Sequence, residues 1–462
     1  MAHQNTHSLT EGSPFKVLVS FTLPLLLGLA FQQFYGMIDT VVVGKFLGVS
    51  ALAGVGSTGS INFLVLGFCN GICSGFAIPV AQKFGQKDLP GLRRIVGNIV
   101  WLSIAFSIGI TVLVCLMCNQ ILVWMHTPAE TFHYAYTYIF ILFLGIPSMI
   151  LYNVLSGIIR SLGNSKTPLH FLIFSSVLNI ILDLVLILWA KMGVAGAAWA
   201  TVISQIVSGV LCLIYICKSY PLLHLTRDDL KLRKKESVRL LSMGIPMGVQ
   251  YTITAVGCVS VQAAVNVLGA TAMAAVTAAT RVQMLLATPF DAIGIAAATY
   301  TGQNVGACRL DRVHKGAWVN SLMGTAYSAL ALGLVAMWGK SALLMFLDPG
   351  ETQTAQILIL GQRFLLINVM NYIFLLMVNL FRFAIQGMGF SGLAIFAGVL
   401  ELIGRAAAAI LFVPMFGFSA ICFANPAAWI LADLFLVPMY FIGVKMLRRT
   451  FADTSTESDP ND

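Results

Sequence analysis

Asp39 sits in the apolar run FYGMIDTVVVGKFLG with no basic residue within five positions of it. Tyr35 lies four residues earlier and Gln32 seven, so a helix would gather all three on one polar face. Asn179 and Asp183 are likewise four apart, with Ser176 just before them, and Thr201, Gln205 and Ser208 make a third stripe. Together the stripes offer oxygen ligands and no basic side chain. Charge inside a membrane is costly, so uncompensated carboxylates there are expected to bind protons, to bind a metal cation, or to meet a cationic substrate. All three belong to transport. The second half of the chain treats its charges differently. Glu401 and Arg405, four apart, can neutralise each other, and Asp291 and Asp433 can pair with Arg281 or Arg405 across helices. Structural glue between helices is the expected role of the Glu401 and Arg405 pair.

The elements that carry these residues follow from composition. The chain is 58% apolar and 10% charged, with a mean hydropathy of +0.88, outside the range of soluble domains. Apolar runs recur from Val17 to Val444, each long enough to cross about 30 Å of hydrocarbon as a helix. Twelve such spans are expected. Barrel strands would alternate polar and apolar residues, and these runs do not, so the fold class is an all-α polytopic membrane protein. The net charge of +9 does not point to a nucleic-acid partner, because the basic residues mark topology. From a cytoplasmic N-terminus, the even-numbered loops and tails hold 21 Lys and Arg, among them Arg160 and Arg382. The odd-numbered loops hold Lys45, Lys191, Lys340 and Arg363, leaving only Arg281 and Arg405 for the interior. That asymmetry puts both termini in the cytoplasm. The first residues have no signal-peptide pattern, and the nine cysteines are scattered as small apolar residues.

The chain also matches itself when shifted by about 221 residues. LGVSALAGV lies over LGATAMAAV, Pro24 over Pro246, Gln82 over Gln303, Arg160 over Arg382, and the VLN ending at Asn179 over the VLE ending at Glu401. Two six-helix bundles are therefore expected as parallel repeats, with a pseudo-two-fold axis along the membrane normal. The expected division is a cytoplasmic tail over 1–15, an N-lobe of six helices over 16–217, and a solvated linker over 218–237. A C-lobe of six helices over 238–447 and a disordered tail over 448–462 complete it. Pro24 removes a helix hydrogen bond before Asp39 and is a candidate kink or gating point.

With its twelve spans, two repeats, IDTVVVGKFLG, VAQKFGQKD, RSLGNSKTP and LNIILD, the chain resembles the multidrug and toxic compound extrusion (MATE) transporters, and most of all their DinF-like and MepA-like bacterial members. The resemblance covers nearly the whole chain. It implies a secondary active multidrug efflux antiporter in the cell membrane, exporting amphipathic, cationic organic compounds for H⁺ or Na⁺ by alternating access of two lobes. It also implies cation coupling, including Na⁺ binding, at Asp39, Asn179, Asp183 and Thr201, and substrate contacts at Gln32, Tyr35 and Asn153. The expected partners are drug-like small molecules and the lipid bilayer, with no nucleic acid, no cofactor beyond the coupling ion, and a monomeric state. Relatives of the NorM type use acidic residues on helices 7 and 10, and none stands in those spans here. The alternative is a lipid-linked saccharide or polysaccharide flippase of the same superfamily, whose phosphate-bearing cargo calls for a cavity rich in Lys and Arg. An enzyme is not expected, since no Walker A, HExxH or GxSxG sequence is present.

Overall fold

The computed structural model describes residues 8–125, 127–346 and 354–457, and every regular element among them is helical. In chain order the spans are α1 (Pro14–Leu47), α2 (Ser50–Gly85), α3 (Leu89–Trp124), α4 (Ala129–Leu144 with Ile146–Ser161), α5 (Lys166–Trp189) and α6 (Val194–Ser219). They continue as α7 (Lys234–Val267), α8 (Ala270–Gly306), α9 (Leu310–Leu344), α10 (Thr354–Met370 with Tyr372–Met388), α11 (Ser391–Phe416) and α12 (Phe418–Glu457). α4 and α10 are bent, by 45° and 49°, and counting each as one span gives the twelve expected.

Packing divides the chain into two units, one of Met1–Ser8 and Leu23–Gly248, the other of Leu9–Thr22 and Val249–Asp462. The first turns of α1 thus belong to unit 2, and the first half of α7 to unit 1. In unit 1 the core is built from Cys69, Phe76, Ile95, Phe143, Ile158 and Cys212. α2 and α7 approach so closely that a Cβ on Gly75 would stand 2.5 Å from the Gly244 Cα, and one on Gly244 2.8 Å from the Phe76 ring, which is why neither position carries a side chain. The segment between α6 and α7, expected as a solvated linker, keeps Arg227, Asp228, Lys231 and Lys235 exposed and is also docked on α3 through its backbone. Arg93 Nε donates to Leu222 O (2.9 Å), Trp101 Nε1 to Leu230 O (2.7 Å), and the Arg233 N–H to Asn98 Oδ1 (2.9 Å). Such bonds satisfy backbone groups that an irregular connector would otherwise leave to solvent.

Unit 2 has its own core, in which Phe290 meets Tyr372 edge-on at 5.2 Å between ring centroids, with Trp429 and Tyr440 nearby. Residues Leu9–Gly12 form a strap on this unit. The Leu9 N–H donates to Gln303 Oε1 (2.8 Å), Arg309 Nη1 to Thr10 O (2.9 Å), and Arg312 Nη1 to Gly12 O (2.8 Å). α12 runs to Glu457, with Phe451 packed against the core, so the tail expected to be disordered from residue 448 is helical that far. Residues 458–462 of that tail, and residues 1–7 of the N-terminal one, lie outside the described residues.

Candidate functional site in unit 1

Four spans bring polar groups together inside unit 1. α1 carries Asp39, 8% exposed; α5 carries Asn179 and Asp183, at 1% and 0%; α6 carries the half-buried Thr201. Asn179 Nδ2 donates to Thr201 Oγ1 across α5 and α6 at a long 3.5 Å. Directly after Asp183 and Leu184, α5 loosens into a π turn over Val185–Trp189. Such turns interrupt the regular ladder and recur at functional sites. Around the group lies an apolar collar of Val42, Val43, Ala51, Ile187, Ala198 and Val202.

The fourth span is α4, which carries Tyr138, a residue that sequence spacing did not single out. Its hydroxyl donates to Asp39 Oδ2 at 3.4 Å, and the ring is 8% exposed within the same collar. The bend of α4 presses the span on α6. A Cβ on Gly145 would fall 2.4 Å from Val202 Cγ2, next in sequence to Thr201. Only an interior tyrosine in the run AYTYIFILFL hinted at this; its partner is 99 residues away.

Four oxygens of this group are buried without a hydrogen-bond partner: Asp39 Oδ1, Asn179 Oδ1 and both oxygens of Asp183. The charged neighbour felt by Asp183 is Asp39, so the two carboxylates repel each other in an apolar surrounding. Carboxylate, amide and hydroxyl oxygens are the ligands of hard cations, and the orphaned atoms fit Na⁺ or protons alike. Among the described residues no three His, Cys, Asp or Glu side chains cluster as a metal site, so a cation here would draw on amide and hydroxyl oxygens too.

Of the three residues expected to touch substrate, Tyr35 is half-buried and within electrostatic reach of Asp39 and Asp183, with the Gln32 side chain against its hydroxyl. Gln32 itself is exposed. Asn153 is turned back on its own helix, donating from Nδ2 to Met149 O at 2.9 Å. Pro24 lies inside α1 as expected.

Unit 2 corrects two expectations. Arg382, assigned to a cytoplasmic loop, is 6% exposed inside α10 and pairs with Glu401. The α10 helix continues to Met388, more than a turn beyond Arg382, which carries the guanidinium inward. Glu401 also holds Arg405 at 3.2 Å, and Arg405 Nε donates to Asn425 Oδ1 at 3.2 Å. Arg281 lies within the span α8, its side chain exposed, and the cation near Asp291 and Asp433 is Arg382, where Arg281 or Arg405 was expected.

The MatE family profile matches residues 24–185 and 246–411, two stretches that open on the matched prolines Pro24 and Pro246. The chain belongs to the MatE family. It is similar to the probable multidrug resistance protein YoeA of Bacillus subtilis (strain 168), with 31% identity over 80% of each chain. It is also similar to the multidrug export protein MepA of Staphylococcus aureus (strain NCTC 8325 / PS 47), with 24% identity over 51% of this chain and 52% of that one. Among solved structures, the outward-facing conformation of a multidrug resistance MATE transporter of the MOP superfamily overlays with a TM-score of 0.88. The identity there is 19%, over 96% of this chain and 98% of the other. A MOP superfamily transporter from Pyrococcus furiosus, whose binding pocket of reverse polarity is said to suggest a different function, overlays at 0.87. Its identity is 20%, over 95% of this chain and 98% of that chain. These overlays give the fold; MATE membership rests on the sequence matches.

Proposed function

We propose that the chain is a secondary multidrug antiporter of the cell membrane, with both termini cytoplasmic, that exports amphipathic, cationic organic compounds in exchange for H⁺ or Na⁺. The observation that carries this reading is the pair of buried, mutually repelling carboxylates in unit 1, Asp39 and Asp183, with three of their four oxygens unpartnered. A cation on that pair, helped by Asn179 and Thr201, cancels the negative charge that would otherwise favour a cationic substrate. Cation and substrate then exclude each other, and the occupancy of one becomes linked to release of the other. One charge moving inward carries about 2.3 kcal/mol per 100 mV, to which a pH or sodium gradient adds. The names of the relatives, multidrug resistance and multidrug export proteins, support a drug-like cargo. In unit 2, Arg382 and Arg405 both lie on Glu401, an arrangement that favours this reading over a flippase that would offer them to a phosphate-bearing cargo.

The test is efflux by the purified chain in proteoliposomes with pH and sodium gradients imposed separately. Asp39→Asn and Asp183→Asn are each expected to elute as folded protein and to lose gradient-driven efflux. Undiminished transport by the double variant would sink the proposal.

A further inference from the structure

A second orphaned carboxylate lies in unit 2, on α12. Asp433 is 9% exposed, and neither of its oxygens has a hydrogen-bond partner. The charged group it feels is Arg382, and the titratable groups gathered around that guanidinium come from four spans besides α12. α10 contributes Arg382; α11 contributes Glu401 and Arg405; α8 contributes Asp291; and α7 contributes Tyr251, with Cys258 beside Arg405. Arg382 is bound to Glu401 and lies within electrostatic reach of both Asp433 and Asp291, and its Nε is buried with no acceptor. The cluster therefore holds an unsatisfied donor and an unsatisfied acceptor on neighbouring spans.

Charge balance decides what the cluster lacks. Three carboxylates, Asp291, Glu401 and Asp433, surround two guanidiniums, Arg382 and Arg405, leaving one negative charge uncancelled. Glu401 is neutralised by its two arginines, and of the two remaining acids Asp433 is the one whose oxygens are both shut away from the surface without a partner, so the uncancelled charge is placed there. We propose that Asp433 is a second proton-binding site, housed in unit 2, whose proton decides how Arg382 is shared. With the proton on, Asp433 is neutral and Arg382 stays on Glu401. When the proton leaves, Asp433 becomes an acceptor for the spare Arg382 Nε, and the guanidinium is divided between two carboxylates. Only a proton moves, and no other reactant is required. The site is separate from Asp39 and Asp183 and stands or falls without them.

Infrared difference spectroscopy of the purified, reconstituted chain tests this directly, because a protonated carboxyl has its own C=O stretch that shifts in D₂O. To remove the unit 1 carboxyls, the measurement is made on the Asp39→Asn/Asp183→Asn background as well as on the native chain. The background is expected to keep one buried protonated-carboxyl band at neutral pH, which Asp433→Asn loses and Asp433→Glu retains at a shifted position. Arg382→Gln should add a second such band, since Glu401 then shares one arginine fewer with the same number of acids. A folded background protein without the band, or one whose band survives Asp433→Asn, overturns the proposal. If Asp433→Asn does not fold, the shift in Asp433→Glu decides, and an unshifted band counts against the assignment.

Discussion

α5 and α11 occupy the same place in the repeat and carry the same four-residue spacing, yet their chemistry is opposed. In α5 the pair is Asn179 and Asp183; in α11 it is Glu401 and Arg405. Each pair is followed by a π turn, Val185–Trp189 in one unit and Ala408–Phe412 in the other. The backbone irregularity is thus common to both halves and the charge is not. In unit 1 the carboxylate is left open, with both oxygens unpartnered; in unit 2 the glutamate is closed by Arg382 and Arg405. The π turn is accordingly a property of the duplicated scaffold, and what differs between the halves is the set of side chains set upon it.

The largest effect that tests this contrast is on stability. Glu401→Gln leaves two buried guanidiniums without their anion, and breaking a buried pair in this way costs about 3–5 kcal/mol. Asp183→Asn removes a charge that has no counterion, so it should stay within about 1 kcal/mol of the native chain. Thermal unfolding of both variants in detergent, followed by fluorescence-detected size exclusion, compares them. Should Asp183→Asn unfold as readily as Glu401→Gln, the open site of unit 1 would be a structural element and the contrast would fail.

A smaller effect probes the scaffold. Gly75 of α2 corresponds in the repeat to Ala296 of α8, which is buried at 0% exposure. Gly75→Ala would place a methyl 2.5 Å from the Gly244 Cα, a backbone atom that cannot step aside, at a cost of about 1–3 kcal/mol. Ala296→Gly loses only a methyl and some helix propensity, about 1 kcal/mol. The same unfolding assay should therefore rank the two, and the reverse order would mean that α2 and α7 can separate without penalty.

What the sequence made legible follows from range. Helical spacing joins Asp39 to Tyr35 and Asn179 to Asp183, and the twelve spans follow from hydropathy, because these signals are local. Tyr138 was invisible because nothing local ties a tyrosine to an aspartate 99 residues away. Arg382 was misplaced because topology was counted from charge, and a guanidinium just inside a helix end looks like one in a loop until its acid, Glu401, is found on another span. The docked linker was hidden for a related reason: charge predicts contact with water, whereas Trp101 and Asn98 hold it by its backbone.

The smallest effect concerns the turns before α3 and α9, where the repeat sets Asp88 against Arg309. Asp88 caps α3, its Oδ1 accepting the Gly91 N–H at 2.9 Å while Oδ2 takes Lys83 at 2.6 Å. Lys83 first, and the Gly91 amide second, hold the Asp88 carboxyl below the usual carboxylate range. Its contribution to stability is then complete above the unfolded carboxylate range and is lost as the pH falls below it. Asp88→Ala should cost about 1 kcal/mol at neutral pH and nothing more at low pH, read as a difference in unfolding that closes on acidification. Arg309 makes no side-chain cap on α9; it reaches Thr10 O in the strap. Arg309→Ala should leave unfolding nearly unchanged and raise hydrogen exchange at Leu9–Gly12. Because the two positions share a place in the repeat, a pH-dependent loss at Arg309, or faster exchange of the strap in Asp88→Ala, would show that capping and strapping are one device. Independent responses would mean that each half has put the same turn to its own use.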